Sequence, residues 1–166
     1  LVEKLAGVFR YTLRQSDEEW VPFAREREFV EAYLVIEQGR FGDRLQVTQH
    51  TPDSTDACWL PAMMVQPLIE NAIKHGAARH PSGGSLHWSA ESDATGLLIT
   101  ITDNGPVAHP DFTREPAPGH ALHNIRRRLA GYFGDRARLS ARRDGSETTV
   151  TLLIPQEARH ARSDRG

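Results

Sequence analysis

Two pairs of strand-like segments, each closing over a short polar connection, constrain this chain more than anything else in it. Leu86–Ala90 is followed by Leu97–Thr102 across the polar stretch Ser92–Gly96, and Arg138–Arg142 by Thr148–Ile154 across Asp144-Gly145. Connections this short favour antiparallel hairpins, because a parallel pair needs a crossover of a dozen or more residues. The other elements fit around them. Leu45–Thr48 alternates as a strand, and Pro61–Gly76 reads as a buried helix with Met64, Leu68, Ala72 and His75 on related faces. Pro67 inside that helix makes its first turn irregular. Leu122, Ile125, Leu129 and Phe133 mark a further helix ended by Gly134. From residue 45 the order is therefore strand, helix, strand, strand, long loop, helix, strand, strand. It predicts an α+β two-layer sandwich with a mixed, mainly antiparallel sheet covered by helices.

Upstream, Val2, Leu5, Ala6, Phe9 and Leu13 recur at helical spacing, and Ser16–Glu19 breaks the pattern as a turn. A second helix is expected from Pro22, suited to the first helical position, to Gln38, stopped by Gly39 and Gly42. The two predict a helical hairpin over residues 1–42, with a domain over 43–155 and a charged, disordered tail over 156–166. Four prolines between Pro106 and Pro118 predict a long mobile loop.

Composition narrows the function classes. The 166 residues are 39% hydrophobic, enough for one core. Lys+Arg 20 against Asp+Glu 22 leaves a net charge of −2, which argues against a generic nucleic-acid binder. The single cysteine, Cys58, excludes an internal disulfide and a thiolate zinc cluster. No apolar run approaches the roughly 20 residues that span a bilayer. The first residue is Leu1 rather than Met, so the chain is expected to be a piece of a longer protein.

Three clusters could carry chemistry. In Glu70-Asn71-Ala72-Ile73-Lys74-His75-Gly76, the residues Asn71, Lys74 and His75 share a helix face. An amide oxygen there can ligate Mg²⁺, and a lysine one turn on can meet phosphate. Asp103-Asn104-Gly105-Pro106 follows an apolar strand. A buried carboxylate at that strand end can accept a hydrogen bond from an exocyclic amine, and Gly105 lets the backbone approach a ring closely. Gly119-His120-Ala121-Leu122-His123-Asn124-Ile125 feeds a helix start, a natural phosphate cradle. Taken singly, each also reads as ordinary structure: a solvated helix face with a glycine stop, a turn, and a loop before the basic run Arg126-Arg127-Arg128.

The order and spacing of the clusters favour the chemical reading. Pro61–Gly76 resembles the N box of LytS-type sensor histidine kinases, Asp103–Pro106 their first glycine box, and Gly119–Leu129 their second. Thr148–Pro155 resembles their closing strand, and Phe9–Leu13 with Tyr33–Phe41 resembles the end of their dimerisation region. The resemblance implies the Bergerat-type ATP-binding fold shared with gyrase B and Hsp90, with ATP and Mg²⁺ as ligands. It implies that Asp103 binds the adenine amine beside Gly105, and that Thr148 supports that end through a water. Asn71 would hold Mg²⁺, Lys74 would contact phosphate, and His75 would lie near the nucleotide. Gly119 and Asn124 would contact phosphates, with the Pro106–Pro118 loop as a lid. It further implies a homodimer through the helical stem, a response regulator as phosphoryl acceptor, and the cytoplasmic domain of an inner-membrane sensor anchored only through upstream segments.

The chain departs from the family pattern at three glycines, replaced by Val107, Ala121 and Glu147. Each adds a Cβ where backbone approaches the ligand or needs positive φ, and Glu147 adds negative charge. This keeps a second reading open, a degenerate pseudokinase-like module with weak or absent ATP binding. No histidine precedes His50, so the phosphoacceptor is expected outside this chain. A gyrase-like base would fall where Pro67 stands. Glu70, the nearest carboxylate, is offset by one residue from Asn71 and so turned about 100° around the helix.

Overall fold

The computed structural model describes residues 19–106 and 121–156. The helix expected over Val2–Leu13, most of the 106–118 loop, Gly119, Val107 and the tail beyond Gln156 lie outside the described residues. Strand β1 (Trp20–Pro22) leads into helix α1 (Phe23–Phe41), followed by β2 (Leu45–His50), β3 (Trp59–Pro61) and α2 (Gln66–His75). Then come β4 (Gly84–Asp93), β5 (Gly96–Asp103), α3 (Ala121–Phe133), β6 (Arg138–Asp144) and β7 (Glu147–Ile154).

Five strands form one sheet in the order β2-β4-β5-β7-β6. Only β2 and β4 run parallel; the other neighbours are antiparallel. The stretch between β2 and β4 contains α2, which supplies the crossover a parallel pair requires. The two hairpins close over two residues each, Asp93 pairing Gly96 and Asp144 pairing Glu147. The sheet is thus mixed and mainly antiparallel, as its hairpins dictate.

Strand alternation puts Leu86, Trp88 and Ala90, then Leu97, Ile99 and Ile101, then Val150, Leu152 and Ile154 on one buried face. Against it pack Phe23, Val30 and Leu34 of α1, Leu68, Ile69, Ala72 and Ile73 of α2, and Leu122, Ile125, Leu129 and Phe133 of α3. Helix α1 packs on the sheet that follows it. Val21, Phe23, Val30 and Leu34 share one core with the sheet, and β1 pairs with β3. The apolar stripe of α1 finds its partner within this domain.

Local boundaries shift for identifiable reasons. Pro22 ends β1 and stands just ahead of α1 rather than in its first turn. Helix α1 runs past Gly39 to Phe41 and stops at Gly42, whose φ of 57° lies in the left-handed region. The helix expected from Pro61 begins at Gln66, because Trp59–Pro61 is taken up as a strand by β1. Pro67 then falls in the first turn, where a missing N–H breaks no helical bond.

Candidate functional site

The register of the sheet places one polar row at the end of the apolar face. Leu86 pairs Asp103, Asp103 pairs Thr148, and Thr148 pairs Arg143. Asp103 and Thr148 are each 1% exposed, continuing the inward alternation of Ile99–Ile101 and of Val150–Ile154. Asp103 Oδ1 accepts the Gly105 N–H at 2.9 Å and lies against Gly76 at the end of α2. A Cβ on Gly76 would overlap that oxygen and the Ala72 carbonyl oxygen; a Cβ on Gly105 would overlap Gly76 Cα. The two glycines therefore bring the end of β5 into backbone contact with the end of α2. Asn104 anchors the same turn to β4, its Oδ1 accepting the Ser85 N–H at 2.7 Å.

That contact joins two of the three sequence clusters. Asn71 is buried, His75 is half-buried, and Lys74 is exposed at the same helix end. Glu70 accepts Gln66 Nε2 at 3.0 Å. It also bears on Glu37 of α1, whose carboxyl is raised first by burial and further by the Glu70 charge, with Arg40 opposing. Asn124 is exposed on α3 and lines an open depression with Arg127 and Arg128. Gly119 lies outside the described residues.

Sequence reasoning missed the residues that hold the start of α2. Glu26 of α1 is 2% exposed and accepts the N–H groups of Met63 (2.5 Å) and Val65 (3.0 Å). Arg128 of α3 donates to the carbonyls of Ala62 (2.5 Å) and Met63 (3.2 Å). Between them Met63 adopts a φ of 63°, rare for a residue with a side chain. Arg128 therefore belongs to the core scaffold rather than to a solvated basic face. An acidic side chain at this position also suits the positive end of the α2 dipole.

Burial pushes the Glu26 carboxyl above its ordinary value; the N–H groups of Val65, Met63 and Gln66 and the Arg128 charge oppose the shift. The folded protein then holds this proton more tightly than the unfolded chain. Stability relative to Glu26→Gln should accordingly fall as pH rises through the window above 4.5. Urea unfolding of both proteins at acidic and neutral pH measures that difference. Glu26→Ala should cost about 3 kcal/mol, since it strips the acceptor from two N–H groups at the α2 start.

Arg143 was missed as well. Its Nη1 donates to Thr148 Oγ1 at 3.0 Å, and Nη1 and Nη2 both donate to the Gly105 carbonyl at 3.2 Å. A signal existed, since Arg143 continues the inward parity of Leu139 and Ala141 on β6. Glu147 is exposed, one residue out of phase with Thr148, so its charge projects from the opposite face of the sheet.

These residues fit a nucleotide. A buried carboxylate at a strand end can accept from a base amine, a buried amide and an exposed lysine lie along one helix, and the glycine contact leaves the backbone bare between them. Among the described residues no group of three or more His, Cys, Asp or Glu side chains could hold a metal ion. A cation bound by one amide would bring phosphate and water as its other ligands, the usual habit of Mg²⁺.

Relatives share most of this chain. The sensor protein LytS of Staphylococcus haemolyticus is 32% identical over 164 residues, covering 93% of this chain and 28% of that protein. The sensor histidine kinase BtsS of Escherichia coli is 37% identical over 156 residues, covering 93% of this chain and 27% of that protein. Over nearly its whole length the chain is similar to LytS-type sensor histidine kinases. It spans a little over a quarter of the length of these relatives. The family model described as Histidine kinase matches residues 1–45 of this chain. In fold it is similar to the catalytic domain of the histidine kinase ThkA, with a TM-score of 0.61 at 13% identity, over 86% of this chain and 99% of that one. The two-layer α+β sandwich of this chain is thus the fold of histidine kinase catalytic domains. Among its described residues no helix is long and apolar enough to cross a membrane.

Proposed function

We propose that this chain binds ATP and supplies the catalytic part of a sensor histidine kinase. The γ-phosphoryl group would pass to a histidine on the helical stem of a homodimer, and from there to an aspartate on a response regulator. The observation that carries the reading is the Gly76–Gly105 contact, which brings buried Asp103 to the end of the helix bearing Asn71 and Lys74.

In this reading Asp103 accepts the adenine amine, its carboxylate pre-oriented by the Gly105 N–H. Thr148 supports the same end of the base. Asn71 offers its amide oxygen to Mg²⁺, and Lys74, with His75 beside it, reaches the phosphates from the exposed end of α2. Asn124 and Gly119 contribute from the lid side. Bound Mg²⁺ supplies charge neutralisation on the phosphates during transfer. The chain's own part is to hold the base, align the phosphates and exclude water. Glu70, tied to Gln66 and bearing on Glu37, is assigned to orienting the α1–α2 interface rather than to accepting a proton.

The test is calorimetric titration of Mg-ATP into this chain. Micromolar binding is expected, and no binding up to millimolar nucleotide overturns the reading. Asn71→Ala should leave binding that no longer responds to Mg²⁺, whereas the unaltered protein should bind about tenfold more weakly when the cation is removed. A protein extended upstream through its stem should incorporate γ-phosphate from ATP on a stem histidine.

A further inference from the structure

We infer that Arg143 is a specificity-determining residue of this site: by holding Thr148 Oγ1 as an acceptor, it fixes the hydroxyl as a donor and so selects adenine. The inference rests on the nucleotide reading above. Its starting point is the row across β5, β7 and β6, in which Asp103, Thr148 and Arg143 are direct register partners on the buried face.

Arginine carries N–H donors and no acceptor, and it is charged at any working pH. The 3.0 Å bond from Nη1 to Thr148 Oγ1 therefore has one polarity. With a lone pair of Oγ1 engaged by a guanidinium, the Thr148 proton is left to donate elsewhere. The same guanidinium holds the Gly105 carbonyl through both Nη1 and Nη2. That fork ties β6 to the turn carrying Asp103 and removes the carbonyl as a competing acceptor. Asp103, with Gly105 N–H on Oδ1, is an acceptor toward a ligand. Read along the row, the protein presents an acceptor at Asp103 and a donor at Thr148.

Adenine presents the complement on one edge, an amine donor beside a ring-nitrogen acceptor. Hypoxanthine presents the reverse, a carbonyl acceptor beside a ring N–H donor. A water between Thr148 and the base carries the same polarity when it accepts from the hydroxyl and donates to the ring nitrogen. Were Arg143 absent, the Thr148 hydroxyl would be free to rotate and accept, and the row would lose its fixed second half. Sites built to hydrogen-bond one pattern reject the mismatched one strongly because the buried partners are left unpaired.

The experiment compares the affinities of Mg-ATP and Mg-ITP for the unaltered chain, Arg143→Ala, Arg143→Lys and Thr148→Val, with thermal unfolding of each protein. The unaltered chain should prefer ATP. Arg143→Ala should reduce that preference about tenfold, chiefly by weakening ATP. Arg143→Lys, still a donor without an acceptor, should restore part of the preference, and Thr148→Val should resemble Arg143→Ala. An Arg143→Ala protein that keeps the ATP preference, or that loses both nucleotides in equal proportion, overturns the role of Arg143 alone. An unaltered chain that binds neither nucleotide overturns the nucleotide reading and this inference with it.

Discussion

Asp103→Asn is expected to weaken Mg-ATP binding by about two orders of magnitude while leaving the fold in place. The substitution is isosteric. It turns an acceptor-only group, 1% exposed, into an amide with one oxygen and one NH₂. The Gly105 N–H needs an acceptor on this side chain, and Asp103 Oδ1 supplies it at 2.9 Å. An asparagine keeping that bond presents its NH₂ to the base, donor against donor. Flipping the amide satisfies the base and leaves Gly105 N–H facing a donor. Either way one buried hydrogen bond is lost and a repulsion replaces it. Calorimetry measures the affinity and thermal unfolding checks the fold. Unchanged ATP affinity in Asp103→Asn would show that the carboxylate does not contact the base.

The second large effect is on stability. Gly76→Ala and Gly105→Ala should each cost about 3 kcal/mol or more, read as a lowered urea midpoint. A Cβ at Gly105 would overlap Gly76 Cα and stand 2.6 Å from the Gly76 carbonyl carbon, so backbone rather than a flexible side-chain tip must move. A Cβ at Gly76 would meet both Asp103 and the Ala72 carbonyl oxygen. Gly39 is the internal control, since nothing lies within 4 Å of a Cβ built there. Gly39→Ala within α1 should be neutral or slightly stabilising, as expected for removing a glycine from a helix interior. A Gly105→Ala protein as stable as the parent would mean that β5 and α2 are not in this contact.

Glycine at 105 is thus required by the protein's own packing before any ligand is considered. The same holds at the α2 start, where Glu26 and Arg128 grip the 62–65 turn from two helices. The residues assigned to the ligand stand on a helix whose two ends are both pinned by neighbours.

What the sequence determined by itself was local or periodic. The short connections Ser92–Gly96 and Asp144-Gly145 set two hairpins, which close in the structure at 93–96 and 144–147. The spacing of Asn71, Lys74 and His75 set their position along one helix end, and the strand-end place of Asp103 made it a buried carboxylate. What only the tertiary structure decided was nonlocal. Residues 20–22 and 59–61 are a strand pair because each satisfies the other's backbone, a condition neither segment can announce alone. The sequence leaves open what covers the apolar stripe of helix α1; the folded chain covers it with this domain's core. Arg128 reads as one of three surface arginines until the carbonyls of Ala62 and Met63, more than sixty residues away, accept its hydrogen bonds. Arg143 goes unnoticed in the sequence until the register sets it beside Thr148 and Gly105. Periodicity tells a side chain which way to face; only the folded chain supplies what it faces.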